Sequence, residues 1–338
     1  MLSTMPETTP WTAAERARTM PAAMRRTVVF GLILGMSVGC GGASRSPAHA
    51  GGAAVAETPA SAEDASPEGA PEAAESGAAD GVRFRQRPLA AGTVMVVERS
   101  QESRVELSER RSRKRVSVVQ GTLGRTKTRT TVLATRGAAV TKKKVEYLDG
   151  QSEQRVGDRV QQVPNPLLGK TYLLESRGGQ LRVSRPDGAP VSDYERERLE
   201  LEHANLGRPS AFASLLPDRE IRVGERLTPD PGTLAEAFGK HDVQVEQASI
   251  VLEAVDDEAR EPVGKFRLSM KLVESGERTV RETELRGTVV IQIETGWPVL
   301  VDLSGPVRLE GAPPNPTELS GTGEVSLRVQ TRYESNGG

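Results

Sequence analysis

Residues 265–303 read K-F-R-L-S-M-K-L-V-E-S-G-E-R-T-V-R-E-T-E-L-R-G-T-V-V-I-Q-I-E-T-G-W-P-V-L-V-D-L. Phe266, Leu268, Met270 and Leu272 alternate with Arg267, Ser269 and Lys271, and Val289, Ile291 and Ile293 alternate with Val290, Gln292 and Glu294. A repeat of two is the period of a strand, because successive side chains leave a strand on opposite faces. Val299, Val301 and Leu303 resume the pattern after the turn Glu294-Thr295-Gly296. One face is apolar and the other charged, which predicts antiparallel strands in a sheet with one wet face.

The same pattern extends outward. Val325, Leu327, Val329 and Tyr333 close the chain, and shorter candidate strands precede at 93–99, 104–108, 115–120, 130–135, 144–148, 170–176 and 180–184. The alternation breaks near Ser192-Asp193-Tyr194-Glu195, a capping-box sequence that opens a charged helix of about a dozen residues ending near Gly207. A second short helix is predicted over 210–216, stopped by Pro217, and a further helical turn over 233–238. Tyr194, Leu199, Leu201, Leu206, Phe212, Leu215 and Leu216 are expected to pack onto the apolar face and supply the second layer that a one-sided sheet needs. The predicted fold is mainly β: a large curved antiparallel sheet or half-barrel with one or two short helices against one face, spanning residues 82–335. No internal repeat is evident in it.

The first eighty residues have a different character. From Met24 the chain reads M-R-R-T-V-V-F-G-L-I-L-G-M-S-V-G-C, two arginines and then an uncharged run from Thr27 to Gly39. That is the layout of a secretory signal, and the run is too short for a membrane-spanning helix, which needs about 20 residues. Ser37-Val38-Gly39-Cys40 resembles the lipobox of bacterial lipoprotein precursors, with Ser37 in place of the usual Leu. The resemblance implies cleavage between Gly39 and Cys40 and acylation of Cys40, so that residues 1–39 form the signal peptide. Residues 1–23 fit no part of such a signal, and Met20 and Met24 are the alternative starts. Gly41, where an Asp would imply inner-membrane retention in that family, implies the outer membrane, on its periplasmic side or at the cell surface.

Residues 40–81 consist mainly of Ala, Gly, Ser, Pro and Glu and cannot bury enough apolar surface to offset chain entropy. They are expected to form a disordered tether spanning roughly 35 Å. His49 lies within it as a solvated residue.

The formal net charge of −1 conceals blocks of opposite sign. Residues 41–80 hold one basic and seven acidic side chains, residues 81–160 hold 19 and 8, and residues 161–338 hold 21 and 29. Such asymmetry bears on partners and not on fold. The near-zero total and the 3% aromatic content argue against a nucleic-acid partner. With one cysteine, neither an intramolecular disulfide nor a Cys-based zinc site can form.

The common catalytic signatures are missing. Gly169-Lys170-Thr171 mimics the end of a phosphate-binding loop, but Pro164 stands where its first Gly belongs and a strand follows instead of a helix. G-x-S-x-G, H-E-x-x-H and the calcium-loop pattern are absent. His241-Asp242, and His203 beside Glu200 and Glu202, read as surface histidines near solvated carboxylates, and Asp256-Asp257-Glu258 as a hairpin loop. Neither an enzyme nor a cofactor or metal site is expected. The largest charge concentrations are Arg110, Arg111, Arg113, Lys114 and Arg115, and the triplet Lys142, Lys143 and Lys144. They are candidates for contact with an anionic surface, against the alternative that they are solvated edges discouraging aggregation.

Residues 214–227, S-L-L-P-D-R-E-I-R-V-G-E-R-L, together with Pro166–Tyr172 and Gly179–Ser184, resemble uncharacterised β-rich bacterial lipoproteins over about residues 160–230, with Leu227 where those usually have Trp. In outline the predicted sheet is also similar to the lipoprotein carrier and lipid-binding lipoproteins of the bacterial envelope. The functional expectation is a membrane-anchored, non-enzymatic envelope lipoprotein that binds a partner or an apolar lipid ligand through its β-domain. The alternative is an assembly factor of the cell envelope acting through its basic surface with no ligand cavity. A sizeable apolar pocket between the sheet and residues 192–216 would favour the former.

Overall fold

The computed structural model describes residues 81–111, 114–237, 243–259, 261–276, 279–311 and 319–334. Gly39, Cys40, the signal peptide and all of the tether before Gly81 lie outside the described residues, as do Arg113 and His241.

The strands are β1 (Val82–Arg83), β2 (Val94–Arg111), β3 (Lys114–Arg136), β4 (Ala139–Val156), β5 (Arg159–Gln162), β6 (Thr171–Arg177), β7 (Gln180–Ser184), β8 (Glu220–Ile221), β9 (Arg226–Leu227), β10 (Val243–Asp256), β11 (Val263–Ser275), β12 (Thr279–Gln292), β13 (Pro298–Gly311) and β14 (Leu319–Glu334). The helices are α1 (Asp193–Glu202), α2 (Ala211–Ser214) and α3 (Pro231–Ala237). β1 and β8 pair with each other. The remaining strands form one 12-stranded antiparallel sheet in the order β7-β6-β4-β3-β2-β14-β13-β12-β11-β10-β9, with β5 on β4. The sheet is curved and does not close into a barrel.

The order explains the position of the helices. The first long strand and the last, β2 and β14, pair along their length from Glu109↔Leu319 to Val94↔Glu334 in the middle of the sheet. The middle of the sequence must therefore pass from one edge strand, β7, to the other, β9, and α1 and α2 lie on that passage. The edge strands are short, five residues in β7 and two in β9, and β9 pairs with β10 only at Ile250 and Val251.

The face that the helices cover carries the core. In β11, Phe266, Leu268, Met270 and Leu272 are buried while Lys265 and Arg267 are exposed, the alternation seen in the sequence. Across the sheet Val289, Val301, Leu303, Leu327 and Val329 continue the buried face. Each such side chain contributes about 1.5–3 kcal/mol relative to exposure. Phe84, just after β1, stacks obliquely on Phe266 with ring centroids 5.2 Å apart.

Strands of up to 23 residues cannot stay flat, and glycines mark where neighbours approach too closely for a side chain. A Cβ on Gly305 of β13 would run into the Glu284 carbonyl oxygen of β12, and one on Gly323 of β14 into the Arg104 carbonyl oxygen of β2.

Several short strand candidates fuse here. The stretches 93–99 and 104–108 are one strand, β2, and 115–120 and 130–135 are one strand, β3. The helical face also differs from expectation. Leu199, Leu206, Phe212, Leu215 and Leu216 are buried, but Tyr194 and Leu201 are 57% and 56% exposed. The stripe of α1 that meets the sheet is Glu195, Leu199, Glu202 and His203, at the i, i+4, i+7 spacing, so two carboxylates occupy places a hydrophobic reading would fill with leucine.

Candidate functional site

The densest group of titratable side chains lies between α1 and the sheet, where two tyrosines of the sheet meet two glutamates of the helix. Ser192 caps α1, and the Glu195 side chain reaches back to the Ser192 backbone N–H at 2.8 Å. Glu195 also accepts from the Tyr172 hydroxyl at 2.8 Å and from Lys170 Nζ at 2.5 Å. The Lys170 hydrogen bond outweighs burial and holds the Glu195 carboxyl at about 2 instead of 4.5. Burial, and then the neighbouring Glu195, push the Tyr172 phenol upward. Lys170 thus serves as an anchor for α1, and Gly169 turns directly into β6, the strand expected after the pseudo phosphate loop.

Two turns further along α1 the arrangement recurs. The Tyr147 hydroxyl donates to Glu202 Oε2 at 2.7 Å, and Arg198 Nε donates to Glu202 Oε1 at 2.9 Å. His203 Nε2 lies 3.3 Å from the same hydroxyl. Burial raises Tyr147 well above its ordinary value. It lowers His203 well below 6.5, helped by the charges of Lys143 and Arg99. Arg99, on the inner face of β2, is itself lowered by burial. The Tyr147 and Tyr172 rings meet edge to face at 6.0 Å. Of the candidate trio around His203, the structure joins His203 and Glu202 through Tyr147 and leaves Glu200 exposed.

A neutral imidazole beside a protonated phenol could move a proton, but general acid–base catalysis also requires a place for substrate within reach. The adjoining cavity, lined by Lys143, Leu206, Trp297, Met95, Val132 and Thr331 among others, measures about 40 Å3. That is the volume of one water molecule or so. The cluster fastens α1 to the sheet. Among the described residues, no three His, Cys, Asp or Glu side chains come together as a metal site, and no helix is long and apolar enough to cross a membrane.

The two basic runs are far apart. Arg110 pairs with Arg115 and Arg111 with Lys114 directly across the tip of the β2–β3 hairpin. Lys142, Lys143 and Lys144 lie on β4 opposite Ala134, Val132 and Thr131, near the other end of β3. At about 3.3 Å per residue the separation along the strand is roughly 55 Å. Lys142 and Lys144 are also paired, with Glu175 at 3.8 Å and Glu146 at 2.7 Å, while Lys143 faces the His203 cluster. Arg115 donates to Ser320 Oγ at 3.2 Å.

An open cleft of about 810 Å3 lies at the end of the sheet away from the hairpin tip. Leu89, Pro262, Val263 and Val299 give it apolar walls, and Glu261, Glu294 and Glu334 acidic ones. Arg87 holds Glu294 at 2.8 Å and Arg129 holds Glu334 at 3.0 Å. Thr331 lines both this cleft and the small cavity, and its buried Oγ1 has no hydrogen-bond partner among the described residues. No motif in the sequence marks this cleft, since its walls come from four separate turns and strand ends.

Fold and site together define a β-rich protein built on one open antiparallel sheet with a helical cover. No protein-family model and no curated protein matches the chain. Among solved structures, the crystal structure of Pseudomonas aeruginosa OccK7 (OpdD) matches 72% of this chain and 100% of its own, with 9% identity and a TM-score of 0.19. A DUF1329 family protein from Desulfovibrio piger matches 70% of this chain and 86% of its own, with 8% identity and a TM-score of 0.13. Likenesses this slight assign no function.

Proposed function

We propose that the chain is a membrane-tethered, non-enzymatic lipoprotein of the bacterial cell envelope, held at the outer membrane through Cys40, whose β-domain binds its partner through its exterior. The lipobox and the tether support the anchoring. The observation that carries the rest is the filled space beneath the helices: where an apolar ligand was expected, between the sheet and residues 192–216, the cavity is about 40 Å3. Ligand pockets run to roughly 300–1,000 Å3. The cluster of Tyr147, Glu202 and His203 is occupied in fastening α1, which supports a non-enzymatic role.

The open cleft keeps a second reading in view, since its 810 Å3 would hold a small amphiphile. Native mass spectrometry of the protein purified from its own membranes separates the two. The surface-acting reading predicts the mass of the acylated chain alone. A retained lipid that disappears in Val299→Trp would overturn it in favour of the cleft.

A further inference from the structure

Of the three carboxylates that line the open cleft, two are already neutralised. Arg87 holds Glu294 at 2.8 Å and Arg129 holds Glu334 at 3.0 Å. Glu261 instead accepts from the Gln292 amide nitrogen, a neutral donor that leaves its charge in place. The other end of that amide accepts from the Thr295 hydroxyl at 2.6 Å. Gln292, itself buried, is thus fastened at both ends and holds the Glu261 carboxylate at the cleft wall. Glu261 belongs to the β10–β11 turn, whose residues 256–261 hold four acidic side chains and one basic. Asp256 shapes this turn by accepting from the Ala259 N–H at 3.0 Å. Asp257, Glu258 and Glu261 remain as an exposed acidic rim with no ion pair among the described residues.

The chemistry of the cleft is not charge alone. Leu89, Pro262, Val263 and Val299 give it apolar walls. Thr331, only 5% exposed, lines it as well, and its buried Oγ1 has no hydrogen-bond partner among the described residues. A buried hydroxyl without a partner is costly, and an N–H brought in by a ligand relieves that cost. These features select a cation for the rim, an apolar body for the walls and an N–H for Thr331. An extended peptide segment with lysine or arginine beside aliphatic side chains supplies all of them, the N–H coming from its backbone. A free amphiphile in its own pocket is buried over about 70–90% of its surface. This cleft is open to solvent, which suits a segment that continues into a larger partner.

We propose that the cleft lined by the β10–β11 turn and residues 88–93 receives an extended segment of a partner protein that is both basic and apolar. The proposal rests on the surface-acting reading above and names the part of the exterior that the partner enters. The acidic rim draws the cation in, and the apolar walls retain the segment.

The test uses the full chain with Cys40→Ser, in solution, and the fluorescence anisotropy of a labelled hexapeptide that alternates lysine with leucine. This peptide should bind saturably, a glutamate–leucine counterpart should not bind, and a lysine–serine counterpart should bind much more weakly. Asp257→Asn/Glu258→Gln/Glu261→Gln together should weaken binding on the order of tenfold. Thr331→Val should weaken it several-fold with Tm held, and Val299→Trp, which fills the cleft, should abolish it. Glu102→Gln/Glu106→Gln removes the same kind of charge from exposed positions on β2 and should leave binding unchanged. Absence of binding, equal binding of the glutamate peptide, unchanged binding in the rim variant or an equal loss in the β2 variant overturns the proposal. Octylammonium that displaces the peptide with matching affinity overturns it in favour of a small cationic amphiphile. The peptide series needs no substitution, so it stands even if a variant unfolds. Failure of the peptide to bind, with no ligand retained in the mass spectrum, sinks this proposal alone, whereas a retained lipid sinks the surface-acting reading whatever the peptide does.

Discussion

Replacing Glu195 by Gln removes a charge that four donors converge upon. Lys170 Nζ, the Tyr172 hydroxyl, and the backbone N–H and hydroxyl of Ser192 all lie within 2.9 Å of its carboxylate. Its carboxyl is held at about 2 against an ordinary 4.5, a difference that corresponds to about 3 kcal/mol of folded-state stability. Lys170 is 35% exposed, and solvent screening of its side of the pair reduces the figure to about 1–2 kcal/mol. The sign follows from a folded value below the unfolded one. The stabilisation is fully present above pH 4.5 and is lost as the pH falls from 4.5 towards about 2. Denaturant unfolding of the parent and Glu195→Gln across this range should show a gap of about 1–2 kcal/mol at neutral pH that closes in acid. A gap that stays constant with pH, or no gap at neutral pH, would refute the assignment of Glu195 as the charged anchor of α1.

Gly305→Ala forces a Cβ into the Glu284 carbonyl oxygen and should cost about 1–3 kcal/mol, lowering Tm by several degrees; an unchanged melt would show that β12 and β13 can separate there freely. His203, pushed down by burial, should show no titration of its ring proton resonances between about pH 8 and its ordinary value of 6.5, and its contribution to stability should fall as the pH drops below 6.5, where only the unfolded chain takes up the proton. A midpoint near 6.5 would place the ring in solvent. Thr331→Val removes a buried hydroxyl that lacks a partner among the described residues, so Tm should hold or rise; a loss of more than about 1 kcal/mol would reveal a hydrogen bond at that oxygen.

The strands and the helix start were legible because each rests on local chemistry. Phe266 through Leu272 alternate in sequence and in burial alike, and Ser192 and Glu195 form the capping box that their spacing announces. The inner face of α1 was not legible, because its buried positions are glutamates whose partners, Tyr147 and Tyr172, come from strands far away in sequence. Hydrophobicity therefore chose Tyr194 and Leu201, which point to solvent. Nor could spacing show that β2 pairs with β14, a contact between the two ends of the domain. The same long-range register decides that Arg110–Arg115 and Lys142–Lys144 sit at opposite ends of β3, and that Val116 and Val160 join the former. The cleft has no sequence signal for the same reason: its lining residues run from Pro88 to Glu334.

Anchoring through Cys40 is the claim on which the surface-acting account depends, because it sets what the exterior of the β-domain can reach. Growth with a radiolabelled fatty acid, followed by membrane fractionation, tests it directly. The account predicts label on the parent chain in the outer-membrane fraction, and neither label nor membrane recovery for Cys40→Ser. Equal labelling of the two chains would contradict it.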